Sequence, residues 1–114
     1  MMEKRKYPRY NACTSIKYKR SDDPLSLWQT GSEIKNISMG GLLFTAYEKM
    51  PPGTPLIFKL HIFTKDSTAK IIELKANVVE SEDGIMSYDT RVIFIDLSGS
   101  QKALLKQFID YIEP

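Results

Sequence analysis

Short stretches of alternating apolar and polar residues run through most of this chain, and each ends at residues that favour turns. Alternation with a period of two is typical of a β-strand with one buried face. Turn-forming residues at 21–24, 51–53 and 82–84 separate the stretches. The pattern predicts six strands, at residues 13–20, 27–37 with an interruption near 30–32, 42–47, 56–63, 71–80, and 85–97 with a break near 88–90.

Only the C-terminal residues have a helical period. Ser98 is a good N-cap, and Gln101 stands three positions later, which is the spacing of a capping box. Five apolar residues then share one helical face, and the polar residues share the other. This face should pack against the strands, and it consists of Leu104, Leu105, Phe108, Ile109 and Ile112.

Six strands joined by short turns favour an antiparallel meander that closes on itself, because closure removes the unpaired edges at which chains aggregate. We therefore expect an all-β fold with one C-terminal helix: a six-stranded antiparallel β-barrel of the split-barrel type. Tyr18 and Trp28 are expected to pack inside the barrel or at its rim.

The composition indicates one soluble domain. The chain has 114 residues, of which 42% are hydrophobic and 26% charged, as in ordinary globular proteins. Cys13 is the only cysteine, so no intrachain disulfide can form. No apolar run is long enough to span a membrane or to serve as a secretory signal. We expect a cytoplasmic protein without membrane insertion.

No arrangement typical of catalysis or metal binding is present in the sequence. His61 is the only histidine, and it has no nucleophile or metal ligand at a useful spacing. The acidic residues at 80–83 fit a hairpin turn better than a metal site, which needs several ligands of fixed geometry. We expect no enzyme activity, no cofactor and no metal.

The charge is distributed unevenly along the chain. Residues 1–20 hold seven Lys or Arg against one Glu, a local charge of +6, and the net charge of +2 leaves −4 for the remainder. A local basic cluster attracts anions, whereas a nearly neutral body gives no general affinity for nucleic acid. A basic tail that only aids solubility would have the same composition.

Two arginines in the basic segment have a spacing suited to an anionic ligand. Arg5 and Arg9 flank Pro8, which disfavours a helix here, so both side chains should lie on an extended or turning arm. The planar guanidinium group can bind phosphate oxygens or the Hoogsteen edge of guanine with two hydrogen bonds. A phosphorylated purine is the ligand that this chemistry favours.

A second polar segment follows further along the chain. Asn36 and Ser38 carry donors and acceptors that can bind a purine, and Gly40 and Gly41 allow positive φ or a close backbone approach. By themselves these residues also fit a turn that connects two strands.

Together the two segments resemble the signature of the PilZ domain family, Arg-x-x-x-Arg followed by Asp/Asn-x-Ser-x-x-Gly. Residues 42–44 and 92–98 also match strands of that family. The resemblance implies a bacterial receptor for cyclic di-GMP, with a six-stranded barrel that a C-terminal helix covers at one end. Within one domain it implies a flexible arm at 1–12, a barrel at 13–97 and a helix at 98–114.

The resemblance also implies roles for individual residues. Arg5 and Arg9 would contact phosphate and guanine, while Asn36, Ser38 and Gly41 would form the fixed half of the ligand site. Two further residues have secondary roles. Gly40 supports the turn, and Lys4 adds a cation that favours binding of two stacked nucleotides.

The expected function is that of a non-enzymatic effector. Its arm would become ordered over cyclic di-GMP and present a new surface to an unidentified effector protein, in control of motility, biofilm or exopolysaccharide. The alternative is a PilZ-like interaction module that docks on a motility or secretion component without binding nucleotide. A homodimer is compatible with either hypothesis. A third hypothesis, a small barrel that binds single-stranded nucleic acid, is disfavoured by the net negative charge of residues 21–114, so no nucleic-acid partner is expected.

Overall fold

A computed structural model describes residues 10–66 and 69–112 of the protein. The described residues form six β-strands and one C-terminal helix, as the alternation of polar and apolar residues predicted. In order, these are β1 Tyr10–Arg20, β2 Gln29–Ile37, β3 Gly41–Ala46, β4 Pro55–Phe63, β5 Ala69–Asp83, β6 Tyr88–Ile95 and α1 Gly99–Ile112.

The strands close into an antiparallel barrel, but the predicted meander is wrong. The order around the barrel is β1, β2, β3, β6, β5, β4, with β4 pairing back to β1. Thus β3 pairs with β6, and the chain crosses the barrel end before β4 begins. This crossing is held by the buried side chain of Met50 and by hydrogen bonds that join Gly53 and Thr54 to Val78 of β5.

Several strand boundaries near the ends of the barrel differ from the prediction. β5 runs through Asp83, so the acidic residues at 80–83 pair with β6 instead of forming the turn. β1 begins at Tyr10, three residues before the predicted start, and Tyr10 and Asn11 pair with β2. β6 begins at Tyr88 and pairs without a break, whereas residues 84–87 form a turn closed by a 2.8 Å hydrogen bond from the Gly84 N–H to the Ser87 carbonyl. The tip of this turn, Ile85 and Met86, is 94% exposed.

The predicted interruption near residues 30–32 is a register shift within a continuous strand. Ile16 lies opposite Ser32, and Tyr18 lies opposite Gln29, so β2 carries one extra residue between them. Such a bulge increases the local twist of a strand without ending it. The barrel therefore keeps its pairing past Gly31.

The barrel interior contains an aromatic cluster. The rings of Tyr18 and Phe58 both pack edge-to-face on Phe44, with centroids 5.1 Å and 5.0 Å from its ring, and their own centroids lie 6.1 Å apart. All three side chains are almost fully buried, so Tyr18 is part of the core. Trp28, in contrast, lies on the outside of the barrel beside Lys59.

The C-terminal helix begins with the predicted capping box. The Ser98 N–H donates to Gln101 Oε1 at 2.7 Å, and the Gln101 N–H donates to Ser98 Oγ at 3.1 Å. The Gln101 amide also donates to the Glu73 carbonyl, which ties the start of the helix to β5. The five residues of the predicted apolar face are all buried or partly buried against the barrel.

Candidate functional site

Ser38 organises a tight turn between β2 and β3. Its N–H donates to the Gly41 carbonyl at 2.9 Å, and its hydroxyl accepts from the Gly40 N–H at 3.2 Å and lies 3.4 Å from the Gly41 carbonyl. The residue is only 8% exposed. The Phe94 N–H donates to the Gly40 carbonyl, so the turn is also fastened to the end of β6. The Ser38 hydroxyl thus fixes the shape of the turn.

Gly41 is required by a close approach between β3 and β6. It lies opposite Ile93, and a Cβ built on it would overlap the carbonyl oxygen of Val92. Because the obstacle is backbone, it cannot move aside as a flexible side chain would. The sequence predicted either a positive φ or a close backbone approach at this glycine. The structure shows the close approach at Gly41.

A bulge turns Asn36 toward the outside of the barrel. Ile34 faces inward opposite Phe44, but Asn36 lies opposite Leu43, so Lys35 is an extra residue in β2. Without the extra residue, Asn36 would point inward like Ile34, since side chains alternate along a strand. The bulge therefore turns Asn36 to the outer face of the barrel, where the residue is partly buried.

Asn36 belongs to an outward row that crosses four strands. Leu43 lies opposite Arg91, and Arg91 lies opposite Glu80. A second bulge, in β5 at Val79, turns Glu80 outward in the same way, because Val78 faces inward. We call Asn36, Leu43, Arg91 and Glu80 the outward row. Bulges are common beside binding sites, where they redirect side chains.

The charges of the outward row are weakly paired. Arg91 Nε lies 3.5 Å from Glu80 Oε1, and the two side chains are 27% and 50% exposed. Beside the row, Lys35 Nζ lies 2.7 Å from Asp89 Oδ1. Exposed ion pairs of this kind contribute about 0–1 kcal/mol, so an anionic ligand could displace them at little cost.

Arg91 was not among the site residues that the sequence predicted. Its alignment with Asn36 across β3 depends on the pairing of β3 with β6 and on the bulge at Lys35, neither of which has a local sequence signal.

The start of β1 lies beside the predicted site. Tyr10 pairs with Ile37, and Asn11 pairs with Asn36. The register therefore brings the beginning of the first strand to the end of β2, next to the turn. The predicted ligand residues Lys4, Arg5 and Arg9 lie outside the described residues.

Metal-ligand groups and membrane-spanning helices are both absent from the described residues. Residues 10–66 and 69–112 contain no group of three or more His, Cys, Asp or Glu placed to hold a metal ion. No helix among them combines the length and the apolar character needed to cross a lipid bilayer.

The fold and site define a small barrel with a polar, glycine-dependent turn and charged side chains on its outer wall, as in a ligand-binding module. The sequence profile of the family described as PilZ domain matches residues 3–111. The chain therefore belongs to the PilZ domain family, whose members are non-enzymatic cyclic di-GMP binding modules. No curated protein sequence matches it significantly.

Solved structures of PilZ proteins share the fold at low sequence identity. The PilZ domain of YcgR from Escherichia coli, solved with c-di-GMP, has a TM-score of 0.72 at 16% identity, over 97% of this chain and 92% of that one. The PilZ domain of CeSA from a cellulose-synthesizing bacterium has a TM-score of 0.70 at 16% identity, over 94% and 99%.

The inhibitor of motility MotI (DgrA) from Bacillus subtilis has a TM-score of 0.73 at 18% identity, over 96% of this chain. The match covers 52% of that protein, so this chain spans about half of its length.

Proposed function

We propose that this chain binds cyclic di-GMP on the barrel wall at the outward row and acts as a non-enzymatic effector in the bacterial cytoplasm. Arg5 and Arg9 supply guanidinium groups from the N-terminal segment, and Lys4 adds a further cation. Asn36 supplies its outward-facing amide, while Ser38 and Gly41, with Gly40, hold the turn.

The pairing of Tyr10 with Ile37 carries this proposal. Because β1 begins there and Asn11 pairs with Asn36, the chain connects Arg5 and Arg9 to the site through only a few residues. A short tether gives the arginines a high effective concentration at the wall of the barrel, so a ligand held by both halves is bound more tightly than by either half.

Arg91 is the fixed guanidinium of the proposed site. It lies two strands from Asn36, and since neighbouring strands are about 4.8 Å apart, roughly 10 Å separates their backbones. The described contact of Arg91 with Glu80 uses only Nε, which leaves the terminal nitrogens for phosphate or guanine.

Signalling follows from ordering of the N-terminal segment over the nucleotide. A ligand shifts an equilibrium between two conformations only if it binds one of them more tightly. The N-terminal segment must therefore contact the nucleotide in one conformation of the protein and not in the other. The ordered segment then forms part of a surface for an effector protein.

Isothermal titration calorimetry with cyclic di-GMP tests the proposal. We expect the wild type to bind and Arg9→Ala to lose at least about tenfold in affinity, as for removal of a charged hydrogen-bonding group. Arg20→Ala is the control, because Arg20 forms a surface ion pair with Glu48 at the opposite end of β1. Absence of binding by the wild type would refute the proposal.

The same titration tests Arg91. Arg91→Ala should weaken binding by about tenfold, and Glu80→Gln should strengthen it by a few-fold, because it removes both a competing carboxylate and a negative charge from the site. If the wild type binds and Arg91→Ala matches it, Arg91 does not contact the ligand, and the nucleotide lies closer to β1 and β2.

A further inference from the structure

Four lysines cluster on the wall formed by β1, β4 and β5. Lys17 lies opposite Lys59, which lies opposite Glu73, and in the next row Lys19 lies opposite Ile57, which lies opposite Lys75. All six face outward, because the residues that alternate with them are buried. We call these six residues, together with Trp28, the lysine face.

The lysine face carries more positive charge than its own carboxylate neutralises. Lys17 and Lys59 are directly opposite each other, and like charges in that position destabilise a strand pair. The only described ion pair on the face joins Lys59 Nζ to Glu73 at 3.8 Å. Among the described residues, Lys17, Lys19 and Lys75 have no carboxylate partner. Positive charge therefore remains available to an anionic partner.

The contacts of Trp28 disfavour a nucleic acid as the partner of the lysine face. The ammonium groups of Lys19 and Lys59 lie 4.9 Å and 4.5 Å from its ring centroid. The ring is thus occupied by cation–π contacts, and a nucleic-acid base would have to displace an ammonium group to stack on it.

The row of Lys19, Ile57 and Lys75 has the pattern of a protein contact. An apolar side chain stands between two cations, about 4.8 Å from each neighbouring strand. A polypeptide with an apolar residue between two carboxylates complements this row. Leu25 and Leu27, which are 85% and 77% exposed in the segment that leads to Trp28, add apolar surface.

We propose that the lysine face docks an acidic segment of a partner protein, with carboxylates on Lys17, Lys19 and Lys75 and an apolar side chain on Ile57. β4 is three strands from β3 in either direction around the barrel, so the face lies on the wall opposite the turn at Ser38. Docking therefore does not require nucleotide. It can be measured separately from the nucleotide binding of the proposed function.

Fluorescence anisotropy of a labelled peptide with Glu-Leu-Glu repeats measures this docking on the full chain without nucleotide. Lys17→Glu/Lys75→Glu should weaken binding by about tenfold or more. The control Lys65→Glu/Lys106→Glu changes the net charge equally at exposed lysines that do not belong to the face, and it should bind like the wild type. Both variants keep the basic N-terminal segment.

Folding does not confound the test, because Lys17→Glu places opposite charges across from each other and should leave the melting temperature unchanged or higher. Failure of the wild type to bind the peptide, or an equal loss in both double variants, would overturn the proposal. So would binding of phosphatidylglycerol vesicles or single-stranded RNA through Lys17 and Lys75 without binding of the peptide.

Discussion

Gly41 shows why a motif glycine can be required without an unusual backbone angle. Its Cβ position is filled by the backbone of β6, with the Val92 carbonyl carbon at 3.0 Å and Ile93 Cα at 3.1 Å. The requirement is therefore steric and belongs to the pairing of β3 with β6. A turn at this position would form with or without a ligand.

Gly41→Ala should lower the free energy of unfolding by about 1–3 kcal/mol or more, because β3 or β6 must move to admit the methyl group. Urea unfolding followed by circular dichroism measures the loss. Gly99→Ala is the matched control, since a Cβ there meets nothing within 4 Å. Equal stability of the two variants would contradict the steric explanation.

At the scale of elements, the helix is the part whose details the sequence predicted best. Its cap, its start and its apolar face follow from residues within a few positions of one another, and all three are confirmed. The strands were predicted in number and approximate position. Their bulges were not, because a bulge is defined by the register of a partner strand.

Ser98→Ala should cost about 1 kcal/mol of folding stability, since it leaves the Gln101 N–H without its capping acceptor. Thermal or urea unfolding measures the change. Ser100 is exposed and lies two residues after Ser98. Ser100→Ala should cost much less stability and serves as the control. A loss of the same size in both variants would mean that the capping hydrogen bonds contribute nothing.

At the scale of the whole molecule, closure of the barrel seals Tyr18 away from water. Burial, and to a lesser extent the nearby Glu48 carboxylate, raise the pKa of Tyr18 to about 12. The phenol of the unfolded chain keeps its ordinary pKa near 10. The unfolded state therefore loses a proton between these values while the folded barrel does not.

Stability should consequently be unaffected by Tyr18 below about pH 10 and should fall as pH rises to 12, by about 3 kcal/mol in total. Urea unfolding of the wild type and Tyr18→Phe at pH 9 and at higher pH measures the difference between their slopes. Tyr111→Phe, which removes an exposed phenol, is the control. Parallel slopes for the wild type and Tyr18→Phe would contradict the prediction.

The sequence by itself determined the number of strands, the helix and its cap, and the residues of the turn, because each depends on the period of side chains or on neighbours a few positions apart. It also identified the family through motif spacing. The segment with Arg5 and Arg9 stays a sequence-based prediction.

Tertiary structure decided what depends on contacts between distant parts of the chain. The pairing of β3 with β6 placed Arg91 beside Leu43, and the bulges at Lys35 and Val79 turned Asn36 and Glu80 outward. Barrel closure likewise set Lys17 against Lys59. Local pattern cannot choose a partner strand, and one extra residue reverses the face of every side chain after it.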